Sequence, residues 1–205
     1  MSFQWIIDNA ESISIDRQEI VGQSITRNQT VRAVSRGAGI WKFTVKLPDG
    51  IRWTDIRDDI SKSEKLGRYT TASISINASG QSWLSKYQGD SANYTGFVAS
   101  ITTGSNTITL TSSPTTSSGY KFRAGDLIQL GSSGKVYTVA ADVAYNSNSV
   151  TLHRAVIEAT ATGVALSVGP NCTWTVLCTQ FPNWTLFARD QVSWSGPFVF
   201  YENMV

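Results

Sequence analysis

Hydrophobic and polar residues alternate along much of this chain, and the alternation constrains its fold more than any other feature. In the segment Ile40–Leu47, every second residue from Trp41 onward is apolar, and lysine or threonine stands between them. Successive side chains of a β-strand point to opposite faces, so a period of two predicts a strand with one buried face. Shorter segments repeat the pattern, among them Ser12–Ile15 and Ser73–Ile76. Phe198–Tyr201 is apolar at every position, which fits a strand buried on both faces, in a central position or at a seam between subunits. We therefore predict a mainly β protein.

One short helix is predicted between Thr54 and Gly67. Thr54 suits the N-cap position, and the acidic residues that follow it favour the positive end of the helix dipole. Ile56 and Ile60 lie four positions apart, which gives the helix a narrow apolar stripe. Gly67 is a stop signal for a helix. We expect this helix to pack on a sheet.

The pattern changes between Tyr94 and Val168, where short β segments alternate with turns rich in Gly, Ser, Thr and Asn. Several short strands at this spacing are typical of a small antiparallel barrel or sandwich. The segments on either side have longer strands and more aromatic residues. We therefore predict a core domain formed by residues 1–93 and 169–205, with a small β-barrel subdomain, residues 94–168, inserted into it.

The chain has few charged residues and many aromatic ones, and both features bear on the kind of surface it presents. Charged residues make up only 16% of the sequence, against about 25% in a typical soluble domain. Charged groups are costly to bury and are depleted at the centres of protein interfaces. We therefore predict that the chain works by packing against copies of itself and neighbouring proteins. The predicted interface residues are Trp41, Phe43, Trp83, Tyr87, Trp194, Phe198, Phe200 and Tyr201.

The charge balance and the hydropathy pattern argue against several other classes. A formal net charge of +2 is too small to indicate a nucleic-acid-binding or membrane-surface protein. The first residues lack the basic segment and apolar core of a signal peptide, so we expect no secretion. No apolar run approaches the roughly 18 residues of a membrane helix.

Residues that support catalysis are few and scattered. His153 is the only histidine, and neither a cysteine nor a pair of carboxylates stands near it in sequence. The glycines match neither a phosphate-binding loop nor a dinucleotide fingerprint. We predict no enzymatic activity, no catalytic residue, no cofactor and no metal site. A hydrolase of the glycosidase type stays open, because its two carboxylates need no local motif.

Two cysteines, Cys172 and Cys178, stand six positions apart. In a strand they would share one face at a separation of about 20 Å, far beyond disulfide reach. We expect both to be small buried residues with free thiols.

A carbohydrate-binding module is the alternative function. Such modules are β-sandwiches that stack exposed Trp and Tyr side chains on sugar rings. Trp83 and Tyr87 stand in a polar loop-like segment and are the best candidates for that platform.

Three segments resemble proteins of bacteriophage tails. Val31–Leu47 resembles the early strands of tail proteins, in which a Trp-x-Phe-Thr strand precedes a short helix. Phe122–Ala144 resembles a small β subdomain of tail and baseplate proteins, with its Ala-Gly-Asp-x-Ile-Gln-x-Gly turn. The final residues, VSWSGPFVFYENMV, resemble the closing strand of tail-tube-like and distal-tail-like subunits.

The resemblance implies a tail-tube-like β-sandwich or barrel in the virion, in the tail or at the baseplate hub. It implies a homo-oligomer, commonly a hexameric ring, which contacts other tail and baseplate proteins and which DNA crosses only transiently. Assembly would take place in the host cytoplasm, with no membrane involved. The strands Gly37–Leu47 and Phe198–Glu202 would form the ring, and the loop Gln81–Asp90 would contact a partner.

Overall fold

The computed structural model describes residues 3–18, 21–25, 31–35, 39–66, 69–77, 81–90, 96–114, 118–187 and 189–204. As the alternation predicts, the protein is mainly β. Its contacts define two compact units that are each discontinuous in sequence. The first unit comprises Asn9–Thr71 and Val176–Val205, and the second comprises Ser2–Asp8 and Ala72–Thr175.

The elements are given in chain order. The α-helices are α1 (Gln4–Asp8) and α2 (Trp53–Leu66), and Gly169–Asn171 form a short 3-10 turn. The strands are β1 (Ser12–Gln18), β2 (Val21–Ile25), β3 (Val31–Ser35), β4 (Ile40–Lys46), β5 (Ile51–Arg52), β6 (Thr71–Ser75), β7 (Val98–Ile101), β8 (Thr107–Ser112), β9 (Tyr120–Phe122), β10 (Leu127–Leu130), β11 (Val136–Thr138), β12 (Val143–Ala144), β13 (Ser149–Thr151), β14 (Ala161–Val168), β15 (Thr173–Gln180), β16 (Trp184–Phe187), β17 (Gln191–Trp194) and β18 (Phe198–Glu202).

The main sheet of the first unit places β4 and β18 side by side in its interior. Four consecutive strands of this five-stranded sheet are β1, β4, β18 and β15, in that order, and these neighbours are antiparallel. Phe43 of β4 lies opposite Phe200 of β18, and neither side chain is exposed to solvent. Burial of a side chain of this size stabilises a fold by about 1.5–3 kcal/mol. The alternating apolar residues of both strands therefore form one continuous core face.

A second, three-stranded sheet of the first unit has the order β16, β17, β5. Helix α2 follows β5 directly and buries Ile56, Ile60 and Leu66. This confirms the predicted helix and its apolar stripe. The chain leaves β5 and enters α2 without a loop, so the start of the helix is tied to the end of this sheet.

The capping of α2 differs from the prediction that Thr54 is the N-cap. The helix begins at Trp53, and the Thr54 hydroxyl donates a hydrogen bond of 2.6 Å to the carboxylate of Asp190. The same carboxylate lies 3.4 Å from the Thr54 main-chain nitrogen, and the Trp53 N–H donates to the Asp190 carbonyl. A carboxylate at a helix N-terminus satisfies orphan N–H groups and suits the dipole. A residue distant in sequence thus supplies the cap.

The second unit contains a six-stranded antiparallel sheet in the order β11, β10, β14, β7, β8, β13. Its two edge strands meet at an antiparallel bridge between Val139 and Leu152, so the sheet curls until its edges touch. Inside lies an apolar cluster that includes Phe97, Phe122 and Ile128. The strands β9 and β12 form a separate two-stranded sheet beside it.

The second unit extends beyond the segment 94–168 that the sequence analysis assigned to the inserted subdomain. It begins at Ala72, ends at Thr175 and also takes in Ser2–Asp8. Helix α1 joins it through Gln4, whose side-chain amide donates to the Ser75 carbonyl and accepts from the Ser75 N–H. Residues 81–90 belong to it as well, because hydrogen bonds fasten them to the barrel.

Candidate interaction surfaces

The edge strand β16 exposes large apolar side chains in the first unit. Leu186 is 50% exposed and Phe187 is 57% exposed. No residue of β16 is charged, whereas natural edge strands are commonly protected from pairing by charge, by proline or by a bulge. This edge is therefore suited to contact with another protein chain.

The register shows which main-chain groups of β16 face outward. Trp184 lies opposite Trp194, and the Ser195 N–H donates to the Asn183 carbonyl. Hydrogen-bonded pairs alternate along an antiparallel ladder, so Thr185 and Phe187 bond to β17. The main-chain N–H and C=O groups of Trp184 and Leu186 consequently face away from it.

The first residue of β16, Trp184, is held in place by an aromatic stack. The ring of Trp184 stacks on that of Trp53, the first residue of α2, with the ring centroids 4.6 Å apart. The Trp184 indole N–H donates a hydrogen bond of 3.2 Å to Glu64 on the same helix. Stacked aromatic pairs contribute about 0.5–1.5 kcal/mol beyond their burial. These contacts fix β16 against α2 and leave Leu186 and Phe187 presented to solvent.

Trp83 forms a second exposed apolar feature, in the loop Gln81–Asp90 of the second unit. Its side chain is 71% exposed. The residues after it are fastened: the Ser85 hydroxyl donates to the Ile76 carbonyl at 2.5 Å, and the Gln88 N–H donates to Asp126 at 2.7 Å. Asp90 accepts the Tyr120 N–H at 2.8 Å. The loop thus presents a large indole from an ordered base.

Tyr87 packs against the barrel, whereas Trp83 is exposed, although both were predicted as contact residues. Its ring packs edge-on against Phe122 of the barrel, and its hydroxyl donates to the Lys121 carbonyl. Gly169 passes directly beside it, so close that a Cβ there would lie 3.2 Å from Tyr87. Tyr87 anchors the loop, and of the two aromatic residues only Trp83 projects.

The other predicted interface residues lie mostly in the core of the first unit. Trp41, Phe43, Phe198 and Phe200 are buried, so in this conformation they contribute to the core face of the main sheet. Trp194 is half-buried, in an aromatic cluster with Phe181 and Phe198. Tyr201 is half-buried, with the Lys42 ammonium 5.7 Å from its ring centroid.

The two segments that the resemblance implies as ring-forming strands occupy interior positions. Gly39–Leu47 and Phe198–Glu202 contain β4 and β18, each of which has a strand on both sides. Gly37 and Ala38 lie outside the described residues. Since their main-chain groups are paired within the chain, β4 and β18 have no free edge for a neighbouring copy. In the three-stranded sheet, β16 provides an edge strand without charged residues.

The motif Ala-Gly-Asp-x-Ile-Gln-x-Gly has structural roles. The carboxylate of Asp126 accepts N–H groups from Arg123 and Gln88, and burial raises its pKa. The side-chain oxygen of Gln129 accepts the Thr173 N–H at 2.9 Å. These buried polar groups join the barrel to the loop Gln81–Asp90 and to the start of β15. The motif therefore supports the second unit and forms no ligand site of its own.

A cluster of ionisable residues lies beside the join between β11 and β13. The Tyr137 hydroxyl donates to Glu158 at 2.5 Å and accepts the Ile157 N–H at 3.0 Å. The buried Arg154 guanidinium lies 4.8 Å from the Tyr137 ring centroid and donates to the Val136 carbonyl. Burial raises the pKa of Tyr137 well above its usual range, and the hydrogen bond to Glu158 acts in the same direction. The hydroxyl thus stays protonated and works as a hydrogen-bonding group.

Both cysteines are buried and neither is part of a disulfide, which agrees with their expected separation along a strand. Burial raises the pKa of the Cys172 thiol to about 12. Since the thiolate is the reactive form of cysteine, this residue is not suited to nucleophilic chemistry.

Two further findings concern metals and membranes. Within the residues that the structure describes, no group of three or more His, Cys, Asp or Glu side chains is placed to hold a metal ion. In the same part of the chain, no helix has the length and apolar character needed to cross a membrane.

Comparison with protein-family models and with curated protein sequences finds no match to this chain.

Proposed function

We propose that this chain is a structural subunit of a bacteriophage virion, in the tail or at the baseplate hub. Copies of it form a ring around the DNA channel and join the tail tube to neighbouring baseplate proteins. The ring is sixfold, as the resemblance implies, and DNA crosses it only transiently. The subunit works by packing, without catalysis and without a cofactor, and it is assembled in the host cytoplasm.

The uncharged free edge of β16 is the observation that carries the proposal. Its outward main-chain groups at Trp184 and Leu186 and its exposed Leu186 and Phe187 side chains offer both the ladder and the apolar surface that a neighbouring strand needs. A building block gains from such an edge, whereas a monomer is exposed to aggregation through it. We assign the contact between copies to β16.

The loop Gln81–Asp90 supports a second contact, with a different protein. Large aromatic side chains that become buried on association dominate many interfaces. Trp83 is exposed on a fastened loop, so little conformational entropy is lost when it inserts into a partner's apolar pocket. We assign this contact to a neighbouring baseplate protein.

Substitutions at Leu186 test the contact between copies. Leu186→Pro removes one outward N–H group, and the β16–β17 bonds stay in place because they use Thr185 and Phe187. Leu186→Ser keeps the N–H and removes the apolar side chain. We expect Leu186→Pro to abolish ring formation and Leu186→Ser to weaken it at least tenfold, measured by sedimentation velocity and negative-stain microscopy. Ser14→Lys, on the charged edge strand β1, is the control and should assemble as wild type.

The possible outcomes distinguish the assignment of the contact to β16 from the structural role itself. Rings that form equally well with Leu186→Pro contradict the assignment to β16 and leave the ring itself standing. A wild-type protein that remains monomeric, both alone and when produced together with the products of its neighbouring genes, contradicts the structural role.

A carbohydrate-binding module is the second candidate, and the exposure of Trp83 is the observation that favours it. The anchoring of Tyr87 removes the second aromatic residue of the expected platform. Titration with polysaccharides, followed by tryptophan fluorescence, decides between the two functions. A saturable change that disappears in Trp83→Ala would support sugar binding.

A further inference from the structure

The closure of the barrel in the second unit depends on hydrogen bonds at one short seam, defined by the Val139–Leu152 bridge. The Ala140 N–H donates to the Thr151 carbonyl at 2.8 Å, and the His153 N–H donates to the Thr138 carbonyl at 3.0 Å. These bonds join the end of β11 to the end of β13.

A side chain completes this seam. The Thr138 N–H donates to the Nδ1 atom of His153 at 2.8 Å. His153 therefore bonds to Thr138 twice, once through its own main-chain N–H and once through its ring. Because Nδ1 accepts a hydrogen bond, the neutral imidazole carries its proton on Nε2.

Proton binding is incompatible with this arrangement. Both ring nitrogens of an imidazolium carry hydrogen and donate. Protonated Nδ1 would point its N–H at the Thr138 N–H, so two donors would face each other across 2.8 Å. The ring must then turn away, and the Thr138 N–H, on a buried residue, loses this hydrogen bond. Loss of a hydrogen bond at a buried donor is costly.

The ionisable groups around the ring act in opposite senses. Tyr137 of β11 packs against His153 with the ring centroids 6.2 Å apart, and it stays a neutral phenol. The buried guanidinium of Arg154 opposes a second positive charge nearby. Glu158, which accepts from the Tyr137 hydroxyl, favours one. Neither charge relieves the contact between two donors that protonation creates at Nδ1, so this contact decides the outcome.

We propose that proton binding by His153 opens the seam between β11 and β13 and makes the closure of this barrel sensitive to pH. The device lies within the fold of the second unit and does not depend on the proposed role in the virion. At neutral pH the ring accepts the Thr138 N–H and the seam is closed. Below the range in which histidine titrates, the seam opens while the remaining strand pairs stay formed.

The sign of the pH dependence follows from proton linkage. An unfolded histidine binds a proton near pH 6.5, whereas the closed barrel excludes that proton. The unfolded state therefore binds more protons, and the stability of the fold falls as pH falls through this range. For complete exclusion, the unfolding equilibrium constant rises about tenfold between pH 7.5 and pH 5.5.

The test compares the wild type with His153→Asn, because an asparagine side-chain oxygen can accept the Thr138 N–H in place of Nδ1 without titrating. Urea unfolding of both proteins from pH 7.5 to pH 5.5 isolates the contribution of this residue. We expect the wild type to lose about tenfold in folding equilibrium constant relative to His153→Asn over this range. His153→Ala should be less stable than both at pH 7.5 and should lack the difference in pH dependence.

Hydrogen exchange tests where the opening occurs. After correction for intrinsic rates, the amides of Thr138, Ala140 and His153 should lose protection in the wild type at pH 5.5 and retain it in His153→Asn. The amides of Gly131 and Leu166, which donate to the carbonyls of Ala165 and Phe97, serve as internal controls and should keep their protection. Parallel stability curves for the wild type and His153→Asn, or unchanged protection at the seam, overturn the proposal.

Discussion

The carboxylate of Asp126 is almost completely buried and accepts hydrogen bonds from two separate segments of the second unit. It holds the Arg123 N–H within its own turn and the Gln88 N–H of the loop that carries Trp83. Burial raises the pKa of this carboxyl, and the main-chain donors act in the opposite direction. One acidic residue thus determines both the shape of a barrel turn and the position of an exposed indole.

Asp126→Ala should destabilise the protein by about 2–4 kcal/mol, because the part-buried N–H groups of Arg123 and Gln88 lose their charged acceptor at about 1–3 kcal/mol each. Asp126→Asn keeps one acceptor oxygen and should lose less. Urea unfolding measures both. Asp142 is the matched control, since it also accepts a main-chain N–H, that of Ala124, but is exposed. Equal losses for Asp126→Ala and Asp142→Ala would contradict the role of burial.

Only part of the candidate surfaces could be predicted at the level of single residues. The exposure of Trp83 agrees with its polar surroundings in sequence. Tyr87, four positions later, has the same surroundings, but its hydroxyl finds the carbonyl of Lys121, which is distant in sequence. Leu186 and Phe187 were missed because an exposed edge strand and a buried strand have similar composition. Their exposure depends on strand order, which no local pattern encodes.

At the level of elements, local sequence patterns predicted single strands and helices but not how the strands pair. The alternation in Ile40–Leu47 predicted β4, and the apolar stripe predicted α2, although Thr54 is not its N-cap. Helix α1 was not predicted, because five residues are too few for a helical period to show. The pairing of β4 with β18, at opposite ends of the sequence, was not predicted either. Strand order depends on long-range packing, and this is why β18 is an interior strand and not a ring edge.

The cap on α2 provides a test at this level. Asp190 has a φ of 62°, a conformation that glycine adopts freely and alanine does not. Asp190→Gly therefore removes the capping carboxylate without adding backbone strain, and it should cost about 1 kcal/mol of stability. Asp190→Ala should cost more, and Asp190→Asn less. Thermal unfolding followed by circular dichroism gives the order, and a loss for Asp190→Asn as large as for Asp190→Gly would contradict the cap.

At the scale of the whole molecule, the predicted subdomain boundaries at residues 94 and 168 both lie inside the second compact unit. The predicted boundary at residue 94 follows a change in local sequence composition, to short β segments separated by polar turns. The contacts instead begin the second unit at Ala72, because hydrogen bonds from Ser85, Gln88 and Asp90 fasten the intervening loop to it. Local sequence composition does not give these boundaries, because a compact unit is defined by contacts between residues distant in sequence.

The two cysteines report on the two units separately. Cys172 belongs to the second unit and Cys178 to the first. Since both are buried and the pKa of Cys172 is raised to about 12, neither should react with a thiol reagent at pH 8 in the native protein. In a urea series, peptide mapping by mass spectrometry should show each cysteine labelled as its own unit unfolds. Rapid labelling of either residue without urea would contradict its burial.

The interior position of β18 has a consequence for the order in which the protein folds as it leaves the ribosome. This strand follows all the other described strands in sequence, yet it lies between β4 and β15 in the main sheet of the first unit. That sheet cannot be completed until β18 has been synthesised. The second unit has all its residues once Thr175 has emerged. The second unit can therefore fold first, while β1 and β4 wait for β18.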